Sequence, residues 1–438
     1  MSPLIDRKTD PEFDRALFRK LARRLMPFLM LLYLVAYLDR VNLSYAALTM
    51  NQDLGISARM FGLGSGIFFV GYLLLEVPSN LAPRRFGARR WIARIMISWG
   101  VVSAMMALTR GPASYLALRF LLGVTEAGFF PGIILYLTYW LPAAQRTRLN
   151  ALFLLAIPVS SVIGSPLSTS VLELNRSLGL AGWQWLFLLE GLPAVVLGLM
   201  VLRLLPDGPE QARFLTGEEK QRVRRMLAQE QAASPPHSSL RQALMNRGVL
   251  ALSAVYFGLM IGLYGLGFWI PKMLTHLGLS VRMAGWTTVL PYAFGAALMW
   301  LWNRRANSVR EQVWRLVIAG IVAAAGVGMA AFAHHVVLAV AGFSFGAGGV
   351  FAAMPVFWTL ASRGLEGEAA AGGIALINSL GNLGGFVGPF LMGWLRQSTG
   401  AYASGLFAVA GFLLLSAIVA AGYAGRACIS DEVMTANW

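Results

Sequence analysis

The chain has 438 residues, 57% of them hydrophobic and only 13% charged, with a mean hydropathy of +0.63. Ordinary soluble domains carry roughly a quarter charged residues, so this composition excludes a typical cytosolic enzyme and a disordered scaffold. The net charge of +16, from 36 Lys and Arg against 20 Asp and Glu, would suggest nucleic acid on a soluble chain; on one this apolar it points to a membrane.

Residues 1–24 are charged throughout and precede an apolar run too long for a signal-peptide core, with no small-residue cleavage site after it. They are expected to form a cytoplasmic N-terminal segment. A spanning helix needs about 20 mostly apolar residues. That window predicts twelve spans, at 25–48, 61–81, 91–108, 113–137, 149–172 and 183–205, then 249–274, 283–302, 313–333, 336–360, 369–394 and 402–424. The spans must be helices, since lipid offers no partners to backbone N–H and C=O groups. A membrane barrel is excluded because the apolar runs are continuous and much longer than ten-residue alternating strands.

Connections are short except at 206–248, a polar stretch with Lys220, Arg222, Arg224 and Arg225. The expected organisation is a six-helix half at 25–205, a central cytoplasmic loop at 206–248, a second half at 249–426 and a tail at 427–438. The expected fold is an all-α membrane protein of twelve helices in two pseudo-symmetric halves. The pairs Gly128/Gly132, Gly342/Gly346, Gly381/Gly385 and Gly384/Gly388 fit close helix packing.

With twelve spans both termini share one side of the membrane. Counting Arg94, Lys272 and Arg315 at span ends with the adjoining segments, 27 of the 36 cations fall on that side, six on the other and three within spans. Cytoplasmic loops are enriched in Lys and Arg, so both termini and the central loop are assigned to the cytoplasm. An echo joins the halves: Arg84-Arg85-Phe86-Gly87-Ala88-Arg89-Arg90 follows the second span, and Arg304-Arg305-Ala306-Asn307-Ser308-Val309-Arg310 the eighth. Repeated halves with a site between them are a common carrier plan, although two basic cytoplasmic loops explain the echo equally well.

Several charges fall inside spans: Asp39, Arg40, Glu76, Arg119, Glu126 and Glu190. Each costs roughly 2.5–3.5 kcal/mol at the bilayer centre on insertion scales, so such residues mark function by default. Arg203, beside a span end, is expected to snorkel. Arg119 and Glu126 are two helical turns apart and share a face. Tyr33, Tyr37, Arg40 and Ser44 form a stripe on the first helix, with Asp39 rotated about 100° from Arg40, able to touch a neighbouring helix while Arg40 faces a cavity. Tyr72, Glu76 and Asn80 form a stripe on the second helix, and Asn378 and Asn382 one on the eleventh. Guanidinium, tyrosine and asparagine donors converging from several helices suit an organic anion. Asp39 and Glu126 suit a cation, most simply a proton. Glu76 and Glu190 lie nearer helix ends and rank lower.

The aromatic residues Phe68, Phe69, Tyr256, Tyr264, Trp269, Tyr292, Phe357 and Trp358 fit a substrate path or ordinary packing. Cys428 has no disulfide partner in the chain, no Cys/His spacing suits a metal, and the His334–His335 pair reads as a solvated loop. No cofactor is expected.

The segments Tyr37-Leu-Asp39-Arg40-Val-Asn42-Leu-Ser44, Glu76-Val-Pro-Ser-Asn80, Arg119-Phe-Leu-Leu-Gly123-Val-Thr-Glu126-Ala-Gly128, Gly182-Trp-Gln-Trp through Glu190-Gly191-Leu-Pro193, and Asn378-Ser-Leu-Gly381-Asn382 resemble the anion:cation symporter family of the major facilitator superfamily. The resemblance extends over essentially all twelve spans. It implies an alternating-access carrier of organic carboxylates, such as sugar acids, hydroxy acids or aromatic acids, taken up with protons. It implies Asp39 and Glu126 as the proton-coupling pair, and Arg40, Arg119, Tyr37, Tyr72, Trp358 and Asn378 as substrate-binding residues. It implies Gly87, Arg89 and Arg90 as a gating loop. The usual aspartate of that loop is Arg84 in the first half and Asn307 in the second, which departs from the family pattern. The fifth span lacks the Gly-Pro element of drug–proton antiporters, which disfavours export. The reading is a monomeric importer in a bacterial inner membrane, with a facilitator or exporter as the rival. A membrane-embedded enzyme has little support, since no acidic metal cluster or large catalytic loop is present.

Overall fold

Apolar runs of membrane-spanning length fold here as helices throughout, in a computed structural model that describes residues 11–233, 246–303, 308–363 and 370–435. Chain order is α1 (Pro11–Asp53), α2 (Ala58–Phe86), α3 (Ala88–Met105), α4 (Pro112–Glu126), α5 (Phe129–Thr138), α6 (Ala143–Leu172), α7 (Gly182–Leu204) and α8 (Gly217–Ala233). The second half has α9 (Arg247–Gly267), α10 (Ile270–His276), α11 (Val281–Trp302), α12 (Val309–Ala331), α13 (Val336–Arg363), α14 (Ala370–Thr399) and α15 (Tyr402–Thr435). Helices α4 and α5 together make the fourth span and α9 and α10 the seventh, so the twelve predicted spans are all present as helix. The protein is an all-helical, multi-pass membrane protein.

Ten of these spans are long and apolar enough to cross a bilayer on length and composition alone. The other two, α11 and α14, carry Thr287, Thr288 and Tyr292, and Asn378 and Asn382. Both lie between the halves, α11 against α6 and α14 against α2, where a seam needs small and polar side chains rather than lipid-facing ones.

Three departures from the sequence-based spans matter. The first helix begins at Pro11, so the described part of the expected N-terminal segment is an extension of α1. The fourth span breaks after Glu126, where Ala127 is extended (ψ 131°) and Gly128 adopts φ 83°. That left-handed conformation favours glycine, so Gly128 serves the break. The seventh span breaks at Phe268–Trp269.

Other glycines do serve packing. A Cβ on Gly342 would lie 2.6 Å from the Ala330 nitrogen, one on Gly384 2.3 Å from the Phe257 oxygen, and one on Gly123 1.9 Å from the Phe68 oxygen. The halves meet along two seams at the end of the bundle away from the termini. A Cβ on Gly62 of α2 would come within 2.4 Å of the Pro389 oxygen of α14, and one on Gly285 of α11 within 2.4 Å of the Thr169 side chain of α6.

On the terminal side, α8 is fixed to the first half by ion pairs. Glu219 accepts from Lys20 at 2.8 Å, Arg222 donates to both oxygens of Asp14 at 2.7 and 2.6 Å, and Glu230 accepts from Arg146 at 2.8 Å. The central connection is therefore partly helical and docked. Side chains of Asn80, Arg84, Arg148, Arg363 and Arg426, and residues Arg304, Arg305 and Asn307, lie outside the described residues.

Candidate substrate site between the halves

Arg40 is carried to mid-bundle by α1, and its stripe partners Tyr33 and Tyr37 are buried on the same face. Its Nε and Nη2 contact Glu126 Oε1 at 2.8 and 2.5 Å. Its Nη1 donates to the Tyr264 hydroxyl of α9, in the other half, at 3.1 Å. The guanidinium carbon lies 5.3 Å from the Phe68 ring centre and 5.6 Å from that of Tyr72, distances at which a ring quadrupole attracts a cation. A narrow cavity opens here, with Tyr37, Arg40 and Ser161 contributed by the first half and Tyr264, Tyr292 and Phe351 by the second. It is mostly apolar with a few placed polar groups, as small-molecule sites are.

Glu126 is wholly buried, and its second oxygen has no hydrogen-bond partner. It sits on the last residue of α4, immediately before the break at Ala127–Gly128. The break, invisible to hydropathy, thus ends the helix at the residue that meets Arg40.

Asp39 points away from the cavity. It accepts from Trp99 Nε1 of α3 at 3.0 Å and from the Ser103 hydroxyl, with Asn42 Nδ2 at 3.4 Å. Trp99 and Ser103 stand one turn apart on one face of α3, a spacing present in the sequence but lost among many tryptophans and serines.

Arg119 does not meet Glu126, although the two share a helix face. Its Nε donates to the Gly64 carbonyl of α2 at 3.1 Å, and its guanidinium carbon lies 5.0 Å from the Phe68 ring. Phe68 therefore touches both buried guanidiniums. Of the expected binding residues Tyr37 and Arg40 line the cavity, and Arg119, Tyr72, Trp358 and Asn378 do not.

Trp358 of α13 packs edge-on to Tyr256 at 5.0 Å. Asn378 of α14 donates to Glu76 Oε1 of α2 at 2.7 Å, again linking the halves. Glu190 accepts from Ser168 at 2.8 Å within the first half. Of the expected loop only Gly87, with φ 83°, lies between α2 and α3; Arg89 and Arg90 stand in the first turn of α3, where Arg90 is exposed and Arg89 pairs with Asp207 at 2.9 Å beyond the end of α7. Among the described residues no group of three His, Cys, Asp or Glu side chains is placed to hold a metal.

Two half-bundles around an interfacial cavity define a membrane carrier. The model of the Major Facilitator Superfamily matches residues 29–389, and the chain belongs to that superfamily: it is a transporter, not an enzyme. A protein of Agrobacterium vitis named for tartrate transport is 48% identical over 97% of this chain and 95% of its own. The quinolone resistance transporter of Acinetobacter baumannii is 38% identical over 93% of this chain and 95% of its own. Among solved structures, the xylose transporter XylE of E. coli shares the fold with a TM-score of 0.72 at 13% identity, covering 90% of this chain and 97% of that one.

Proposed function

We propose that this protein is an anion:cation symporter that imports a small organic carboxylate with protons across a bacterial inner membrane. The observation that carries the reading is Arg40, a guanidinium at the interface of the halves, bonded at once to a buried carboxylate of its own half and to Tyr264 of the other. A carboxylate entering the cavity competes with Glu126 for Arg40. Protonation of Glu126 releases the guanidinium for the substrate, and a bidentate guanidinium–carboxylate pair then replaces the internal one. Proton and anion therefore favour each other's binding, which is the thermodynamic content of symport.

In this scheme Arg40, Tyr37 and Tyr264 bind the anion, and Arg119 contributes positive potential from behind Phe68. Tyr72, Trp358 and Asn378 close around it. Asp39 is the second proton acceptor, reached through α3 rather than through the cavity. Gly87, Arg89 and Arg90 act as the gating loop, with Asp207 as the acid partner. The six-helix halves at 25–205 and 249–426 rock about the site, the protein works as a monomer, and both termini are cytoplasmic.

The relative named for tartrate transport supports the substrate class. The relative named for quinolone resistance favours a second reading, export. Counterflow in proteoliposomes tests the class: labelled tartrate or another small carboxylate is expected to exchange with wild type and not with Arg40→Gln. Exchange of a quinolone with no exchange of any small carboxylate would overturn the reading.

A further inference from the structure

Besides the Arg40–Tyr264 contact, a side-chain hydrogen bond joins the halves where α2 meets α14. The two helices run antiparallel along one seam. A Cβ on Gly62 would lie 2.4 Å from the Pro389 oxygen, one on Gly66 2.8 Å from the Phe386 oxygen, and one on Gly385 2.6 Å from the Phe69 ring. Further along this seam Asn378 Nδ2 donates to Glu76 Oε1 at 2.7 Å. Glu76 is only 3% exposed, and its Oε2 is buried without a hydrogen-bond partner. Tyr72, one turn earlier on the same face of α2, presents its ring to Arg40 at 5.6 Å. Glu76 thus continues the stripe that carries the Arg40 site toward the second half.

A buried acceptor left without a donor is costly, and native structures normally satisfy it. We propose that Glu76 is a further substrate-binding residue: its Oε2 accepts a hydrogen bond from a substrate hydroxyl, and the transported anion is a hydroxy acid. The proposal rests on the organic-anion reading above. A hydroxyl beside a carboxylate meets both members of the pair, donating to Glu76 and accepting from the remaining N–H of Asn378. An acid without the hydroxyl brings Glu76 no donor and leaves its Oε2 unsatisfied. Sites built to bond a substrate hydroxyl reject the analogue lacking it far more strongly than apolar pockets separate homologues.

Calorimetric titration of the purified protein with matched pairs, tartrate against succinate and gluconate against hexanoate, tests this. Wild type is expected to bind at least one hydroxy acid tenfold or more tighter than its deoxy partner. In Glu76→Gln the charged Oε2 acceptor becomes a neutral NH2 donor, from which a hydroxyl can only accept more weakly, so the preference is expected to fall several-fold without loss of the deoxy acid. Glu76→Asp keeps a carboxylate and is expected to retain the preference at lower affinity. A residue that only latches the halves would change both acids of a pair alike. An undiminished preference in folded Glu76→Gln overturns the role of Glu76 and leaves the anion reading intact, as does equal wild-type binding of both acids in each pair. Failure of wild type to bind any carboxylate overturns both.

Discussion

Arg40 and Glu126 are 86 positions apart in sequence and 2.5 Å apart in space. Each was identifiable as an ionisable group inside an apolar run, because the membrane makes such residues expensive. Their pairing was not identifiable: spacing alone put Glu126 on the face of Arg119, while the fold gives Glu126 to Arg40 and Arg119 to a backbone carbonyl. Helix faces are set by local periodicity, but partners across helices depend on rotation and on the break after Glu126. Removing the guanidinium in Arg40→Gln is expected to weaken carboxylate binding at least tenfold, about 1.4 kcal/mol, read by calorimetry. Replacing the acid in Glu126→Gln leaves Arg40 free, so exchange should persist while gradient-driven uptake is lost. Glu190 is bonded to Ser168 away from the cavity, and Glu190→Gln is expected to keep most of that uptake in the same assay.

At the scale of elements, existence was legible and interruption was not. Twelve apolar runs of spanning length specify twelve helices without any periodicity argument. The breaks at Ala127–Gly128 and Phe268–Trp269 lie within apolar sequence, so hydropathy passes over them. The partly helical central connection was also hidden, since α8 is polar and owes its place to pairs with Lys20, Asp14 and Arg146. Helix contact is set by glycines whose absent side chains admit a neighbour's backbone. Gly123→Ala would place a methyl 1.9 Å from the Phe68 carbonyl, between α4 and α2. It is expected to lower stability by about 1–3 kcal/mol, the usual cost of overpacking. Gly411→Ala, where nothing lies within 4 Å, should leave the melting temperature in detergent unchanged.

Over the whole molecule, charge orients what hydropathy builds. The 27 cations assigned to the side of the termini are the basis of the proposal that this side is cytoplasmic, since cytoplasmic segments carry an excess of Lys and Arg. In a Cys428→Ser background, a cysteine at Ser177 is expected to react with an impermeant maleimide applied to intact cells, and one at Gln221 only after lysis. The reverse pattern would invert the topology and with it the direction of transport.

Symport into the cell is the claim on which the account turns. Proteoliposomes carrying the wild-type protein, given a hydroxy acid such as tartrate and made acidic outside, measure it directly. The account predicts that the acid accumulates inside above its external concentration, that a protonophore abolishes the accumulation, and that Asp39→Asn exchanges substrate without accumulating it. Equilibration without accumulation in the wild type, or expulsion of the acid against its gradient, would contradict it.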